Sequence, residues 1–237
     1  MSVIRIVHLY PEELNLYGDT GNVLCLAYRL QQRGFGTETV RVGIGGRIPD
    51  FDILLIGGGQ DREMRLVERD LQKKAAMLDY AVQRGKVIFA VCAGFQLLGE
   101  YYRTVDGKKM RLAGALPFYT EASDRRMIGN CVSETPFGSV VGFENHSGQT
   151  ILADTLTPLG KILSGFGNNG EDGTEGVLYK NTFGTYAHGP VLPKNPQLAD
   201  EILRRAVGNE LAPLDDTLET RCHDKLVKRF TSKQKDG

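Results

Sequence analysis

A doubly wound α/β fold, with a mostly parallel sheet flanked by helices, is what this sequence predicts. Three observations carry the prediction. Residues 87–91, Val-Ile-Phe-Ala-Val, are five apolar residues in a row, the mark of a parallel strand buried on both faces. The chain up to that run alternates strand, helix, strand, strand, helix, strand. Two small-residue turns, Gly57-Gly58-Gly59 and Cys92-Ala93-Gly94, follow strands at the ends where sites gather in such folds.

Each element has its own signal. Residues 4–9 read as the first strand. The stretch 15–22, Asn-Leu-Tyr-Gly-Asp-Thr-Gly-Asn, is rich in turn and cap residues and leads into a helix over 20–32. Val23, Leu26, Ala27 and Leu30 follow helical spacing there, and Gly34 is the stop. Residues 37–42 are a β-branched second strand and 52–56 a third. A charged helix follows over 62–84, with Leu71, Ala75, Leu78 and Val82 as its apolar stripe and Gly85 at its end. After the strand at 87–91, a short helix-like run from Cys92 ends near Gly99. Residues 110–144 change character. Short β-like runs at 127–132 and 140–143 alternate with turns, which predicts an antiparallel extension of the sheet. Residues 165–173 are almost all turn formers and predict a mobile surface loop. A strand pair at 176–180 and 182–187, joined at Asn181, precedes His188-Gly189-Pro190. Helices over 196–207, closed by Gly208, and 217–230 complete the chain, with a polar tail at 231–237. The expected organisation is one domain over residues 1–208 and a helical extension and tail over 209–237.

Composition sets bounds on function. At 237 residues, 41% hydrophobic and 24% charged, this is the make-up of a globular protein. Lys plus Arg equals Asp plus Glu, 29 each, so net charge gives no case for nucleic acid or an anionic membrane as partner. No apolar run approaches the roughly 20 residues a bilayer span needs. Residues 1–9 lack the pattern of a signal peptide. Cys25, Cys92, Cys131 and Cys222 are scattered, with no C-x-x-C spacing, which fits reduced thiols in the cytoplasm better than a disulfide frame or a zinc site.

Cys92 is the candidate nucleophile. A strand turning sharply into a helix through small residues lifts a side chain out of the sheet, beside a helix N-terminus that should lower its thiol pKa. The plain alternative is a buried core cysteine. A nucleophile needs a base, and there are four histidines. His8 falls within the first strand and His223 within the last helix, where packing or surface roles are natural. His146 and His188 both sit at strand ends.

Five stretches now carry a resemblance. Ala-Val-Cys-Ala-Gly-Phe-Gln at 90–96, Phe-Glu-Asn-His-Ser-Gly at 143–148 and Thr-Tyr-Ala-His-Gly at 185–189 resemble class I glutamine amidotransferases of the branch shared with cobyrinate- and cobyrate-amidating enzymes. Leu-Asn-Leu-Tyr-Gly-Asp-Thr-Gly-Asn at 14–22 and Gly-Gly-Gly-Gln-Asp at 57–61 resemble, within that branch, the glutaminase subunits of lipid II isoglutaminyl synthase. The resemblance runs from about residue 3 to 208.

It implies a flavodoxin-like fold and a reaction. Cys92 attacks the side-chain amide carbon of L-glutamine with His188 as base, giving a γ-glutamyl thioester that water hydrolyses after ammonia leaves. The oxyanion hole is implied to be the amides of Ala93 and of the triglycine, with Gly59 favoured over Gly58. Arg126 is the implied clamp for the substrate carboxylate, with Arg125 as its neighbouring alternative, and Gln96 and Gly58 the further substrate contacts. Glu144 and His146 shape the pocket rim or hold the strand end.

Two departures stand out. Ala90 replaces the commoner glycine before the elbow. Pro190 stands two residues after His188, where a full class I triad has a glutamate. That absence predicts that an acidic residue of a partner subunit orients His188. The chain has no G-x-x-x-x-G-K-[ST] loop and no dinucleotide fingerprint, so no cofactor is expected on it. The resemblance puts ATP and Mg2+ on a Mur-ligase-like partner, joined as a heterodimer, that amidates a lipid-linked acceptor at the membrane surface. Residues 62–74 and the last helix are the possible docking faces. A glutaminase for another amidation, such as cobyrinate, and a catalytically silent regulatory subunit are the alternatives.

Overall fold

The computed structural model describes residues 3–208 and 211–232. β1 (Val3–Leu9), α1 (Thr20–Gln31), β2 (Gly36–Val42), β3 (Ile53–Ile56), α2 (Asp61–Gln83) and β4 (Val87–Val91) reproduce the predicted alternation. α3 (Ala93–Leu97) follows Cys92 directly. Then come β5 (Tyr101–Arg103), β6 (Lys109–Arg111), β7 (Phe118–Thr135), β8 (Gly138–Leu152), β9 (Gly160–Ser164), β10 (Thr174–Glu175), β11 (Val177–Tyr179) and β12 (Thr182–Thr185). A 3-10 turn (Leu192–Lys194), α4 (Pro196–Val207) and α5 (Thr217–Ser232) end the described chain.

The first sheet has the order β11-β12-β4-β3-β1-β2. All its pairings are parallel except the edge hairpin β11–β12. Its central strands β3 and β4 are buried at every position, which is why they read as unbroken apolar runs. α2 starts one residue before its predicted bound, at Asp61, because the Glu63 carboxylate accepts the Gln60 N–H at 3.0 Å, half of a capping box. The hairpin turns through Lys180 and Asn181, with Lys180 at φ 53°.

The antiparallel region is larger than its short apolar runs suggested. β7 and β8 pair along almost their whole length, with a register break between Ala122 and Met127, and belong to a second sheet of order β10-β9-β7-β5-β6. An isolated bridge pairs Phe143 of β8 with His188, three residues past β12. The predicted mobile loop at 165–173 is instead tied down. The Glu144 carboxylate accepts the amides of Phe166 (2.7 Å) and Gly167 (3.0 Å), and the buried Asn168 side chain bonds Thr174 and the Gly176 carbonyl. Turn-forming composition marks where a chain bends; distant acceptors decide whether the bend is held.

α5 lies over the second sheet, with Ser164 Oγ donating to the Phe230 carbonyl at 3.1 Å. It takes in Thr231 and Ser232, which were expected in the tail; the rest of that tail, 233–237, lies outside the described residues. Arg29 on α1 bonds both Asp200 on α4 and Asp216 before α5, so three helical segments converge on one guanidinium.

Candidate active site

β4 delivers Cys92. β3 and β12 flank β4, with Ile56 opposite Ala90 and Thr185 opposite Val91. The strand ends in a strained residue: Cys92 has φ 48° and ψ −106°, a conformation that L-residues avoid. Its amide donates to the Thr185 carbonyl at 2.8 Å, and the Gly94 amide donates to the Gly57 carbonyl at 3.1 Å. Gly94 has to be a glycine, since a Cβ there would stand 2.4 Å from the Ile56 carbonyl oxygen. The elbow, the triglycine and the segment after β12 therefore meet at one end of the sheet.

Cys92 opens into a small pocket, partly open to solvent, that Gly59, Gln96, Tyr102, Arg126 and His146 also line. Gln96 is buried, and its Nε2 donates to Tyr186 Oη at 3.0 Å. Arg126 is exposed at the pocket mouth, with Nε donating to Asn145 Oδ1 at 2.6 Å. Arg125 turns away, its guanidinium 5.2 Å from the centroid of the Phe166 ring. The structure thus separates two adjacent arginines that the sequence leaves nearly equivalent.

His188 lies three residues past β12 and is fully buried. Its amide donates to the Phe143 carbonyl at 2.8 Å, and the Tyr17 ring packs on the imidazole at 4.5 Å between centroids. Both ring nitrogens are buried without a hydrogen-bond partner among the described residues. Burial, and then His146 and Lys194, lower its pKa to about 3, so the ring is neutral at pH 7. Pro190 packs against Gly21 at the start of α1.

The thiol corrects an expectation. Burial and the nearby Asp19 carboxylate push Cys92 up to about 12, while the Ala93 amide and Arg126 pull it down. α3 has only five residues, too few for a strong dipole, and the neutral His188 supplies no charge. The Cys92 thiol and the His188 ring are thus both uncharged at pH 7.

Gly58 faces His188 rather than the pocket. A Cβ on it would lie 2.7 Å from His188 Cε1, and its amide donates to Asp19 Oδ2 at 2.7 Å. Gly59 lines the pocket, and the Ala93 amide reaches the Cys92 sulfur. His146 lines the pocket, stacks on Tyr186 at 3.7 Å and holds the Gly148 carbonyl through Nδ1 at 2.8 Å. Glu144 is a buried tether for the 165–173 loop. Sequence reasoning missed Asp19, Tyr17 and Asn145. The first two lie in a motif whose turn character was legible but whose distant contacts were not. Among the described residues no cluster of three His, Cys, Asp or Glu could hold a metal, and no helix is long and apolar enough to cross a membrane.

A strained cysteine elbow, a glycine loop at the next strand end and a histidine after the strand on the other side are the parts that cysteine-dependent acyl transfer needs. The chain belongs to the CobB/CobQ-like glutamine amidotransferase domain family, whose model matches residues 5–196. It is 37% identical over 243 residues, 99% of each chain, to the glutamine-hydrolysing lipid II isoglutaminyl synthase subunit GatD of Staphylococcus aureus. The GatD of Streptococcus pneumoniae is 39% identical over 86% of this chain and 80% of its own. Cobyrinate a,c-diamide synthase of Archaeoglobus fulgidus is 29% identical over 60% of this chain and 32% of its own. A crystal structure of a glutamine amidotransferase shares the fold, with a TM-score of 0.57 and 19% identity over 85% of this chain and 98% of the other.

Proposed function

We propose that the chain is the glutaminase subunit of a lipid II isoglutaminyl synthase. It hydrolyses L-glutamine at Cys92 and passes ammonia to a Mur-ligase-like partner of the MurT type. That partner, holding ATP and Mg2+, would convert the D-glutamate α-carboxyl of the peptidoglycan stem peptide to D-isoglutamine. The likeness to GatD along 99% of both chains is the observation that carries this reading. A cobyrinate-type role is less well supported, because the likeness to such an enzyme reaches only 32% of its length.

In this reading glutamine enters with its carboxylate on Arg126 and its amide over Cys92. Neutral His188 takes the thiol proton as sulfur attacks the amide carbon. Gly59 and Ala93 amides hold the oxyanion. The proton then goes to the leaving nitrogen, and ammonia departs. Water, deprotonated by His188, hydrolyses the thioester to glutamate and restores the thiol. A carboxylate from the partner would orient the unbonded imidazole, in place of the acid whose position Pro190 takes.

The test is a reconstitution with a MurT-type ligase, ATP, Mg2+, a lipid II acceptor and either glutamine or ammonium. Wild type should support amidation from both nitrogen sources. The Cys92→Ala variant should support it from ammonium alone. Glutamine-dependent amidation that survives Cys92→Ala would refute the reading.

A further inference from the structure

The loop between β1 and α1 holds a group that the chemistry above leaves unused. Asp19 is 0% exposed and forms no ion pair among the described residues. A buried carboxylate is costly unless its oxygens are bonded. Asp19 has two such bonds: Oδ2 accepts the Gly58 amide at 2.7 Å, and Oδ1 accepts Asn22 Nδ2 at 3.1 Å. On the other side of the same glycine, the Leu16 amide donates to the Gly58 carbonyl at 3.1 Å. Residues 14–22 therefore grip Gly58 by both its N–H and its C=O.

That grip has a geometric consequence. Across a trans peptide the carbonyl and the following N–H point in opposite directions. With the Gly58 carbonyl turned toward Leu16, the Gly59 N–H is turned away from that loop. Gly59 shares its pocket with Cys92. The Asp19 charge does not help the nucleophile, since it raises the Cys92 thiol pKa. Its presence beside the site calls for a different role.

We infer that Asp19 is a positioning residue for the oxyanion loop, fixing the Gly58 peptide so that the Gly59 amide faces the carbonyl oxygen of a substrate on Cys92. The inference rests on the glutaminase reading. It makes residues 14–22 the lock of a preformed oxyanion hole.

Two rates measured on the full chain with its ligase partner test it. One is kcat for glutamine hydrolysis, which passes through an oxyanion; the other is alkylation of Cys92 by iodoacetamide at pH 9, which does not. For Asp19→Ala, kcat should fall about 100-fold, as for loss of one oxyanion donor, with KM changed less than about threefold. Alkylation should hold or quicken, because the charge opposing the thiolate is gone. Asp19→Asn keeps the volume but can accept only one of the two bonds, and should fall between wild type and Asp19→Ala. A ratio of the two rates within about threefold of wild type for Asp19→Ala, or an equal loss of both, overturns the inference. If Asp19→Ala does not fold, Asp19→Asn is judged by the same ratio. A wild-type complex that hydrolyses no glutamine would instead overturn the glutaminase reading itself.

Discussion

The two members of the candidate catalytic pair are held to different degrees. Cys92 is fixed by the parallel sheet: its own amide bonds Thr185, the next helical turn bonds Gly57, and the backbone is kept in a strained conformation that aims the sulfur. His188 is held by its backbone bond to Phe143 and by packing against Tyr17 and Gly58, but its ring nitrogens bond nothing among the described residues. The difference follows from position. The nucleophile sits where three strands of one sheet end together, so neighbours constrain it from both sides. The candidate base sits past the end of β12, where an isolated bridge pairs it with Phe143 of β8. A nucleophile that must be lifted out of a sheet needs a rigid frame, whereas the ring of the candidate base has no hydrogen bond to orient it among the described residues.

Perturbing each side should show the contrast. The largest effect belongs to the base itself: His188→Gln should lower kcat for glutamine hydrolysis by about 10³-fold or more, while His146→Gln should cost about tenfold. Equal losses would mean that the pocket-lining His146 shares the proton transfer. Next is the packing between loop and base. Gly58→Ala puts a methyl 2.7 Å from His188 Cε1 and should lower kcat by about 100-fold, by displacing either the ring or the oxyanion loop.

The pH behaviour of Cys92 sharpens the comparison. Thiolate is the reactive form, and a thiol held near 12 carries little of it at neutral pH. Alkylation of the isolated chain should therefore rise about tenfold per pH unit from 7 to 10. A plateau beginning near pH 5 would mean a thiolate–imidazolium pair instead. Arg126→Lys should raise KM for glutamine about tenfold, and Arg125→Lys should leave it within about twofold. The smallest effect is expected for Tyr17→Phe. It keeps the ring on His188 but removes the hydroxyl that accepts from Asn145 Nδ2, and so loosens the Arg126 anchor by about threefold in KM.

Much of this was legible in the sequence, for identifiable reasons. Val87–Val91 read as a buried strand because both its faces are covered. The elbow was readable because only small residues fit its turn, as Gly94 against Ile56 shows. What sequence could not show depends on contacts between distant residues. Residues 165–173 look free until Glu144 is placed beneath them. Asp19 looks like a helix cap, yet its side chain caps nothing in α1 and reaches Gly58 instead. The dipole argument for a lowered thiol pKa failed on a quantity spacing does not give, the depth of burial at the elbow.

The central claim is that this chain carries a finished nucleophile and an unfinished base. The most direct measurement is kcat for glutamine hydrolysis at saturating glutamine, taken on the chain alone and in complex with the proposed ligase partner. A low rate alone that rises about tenfold or more in the complex is the predicted result, since an oriented imidazole is the better base. A full rate from the chain alone, unchanged by adding the partner, would contradict it.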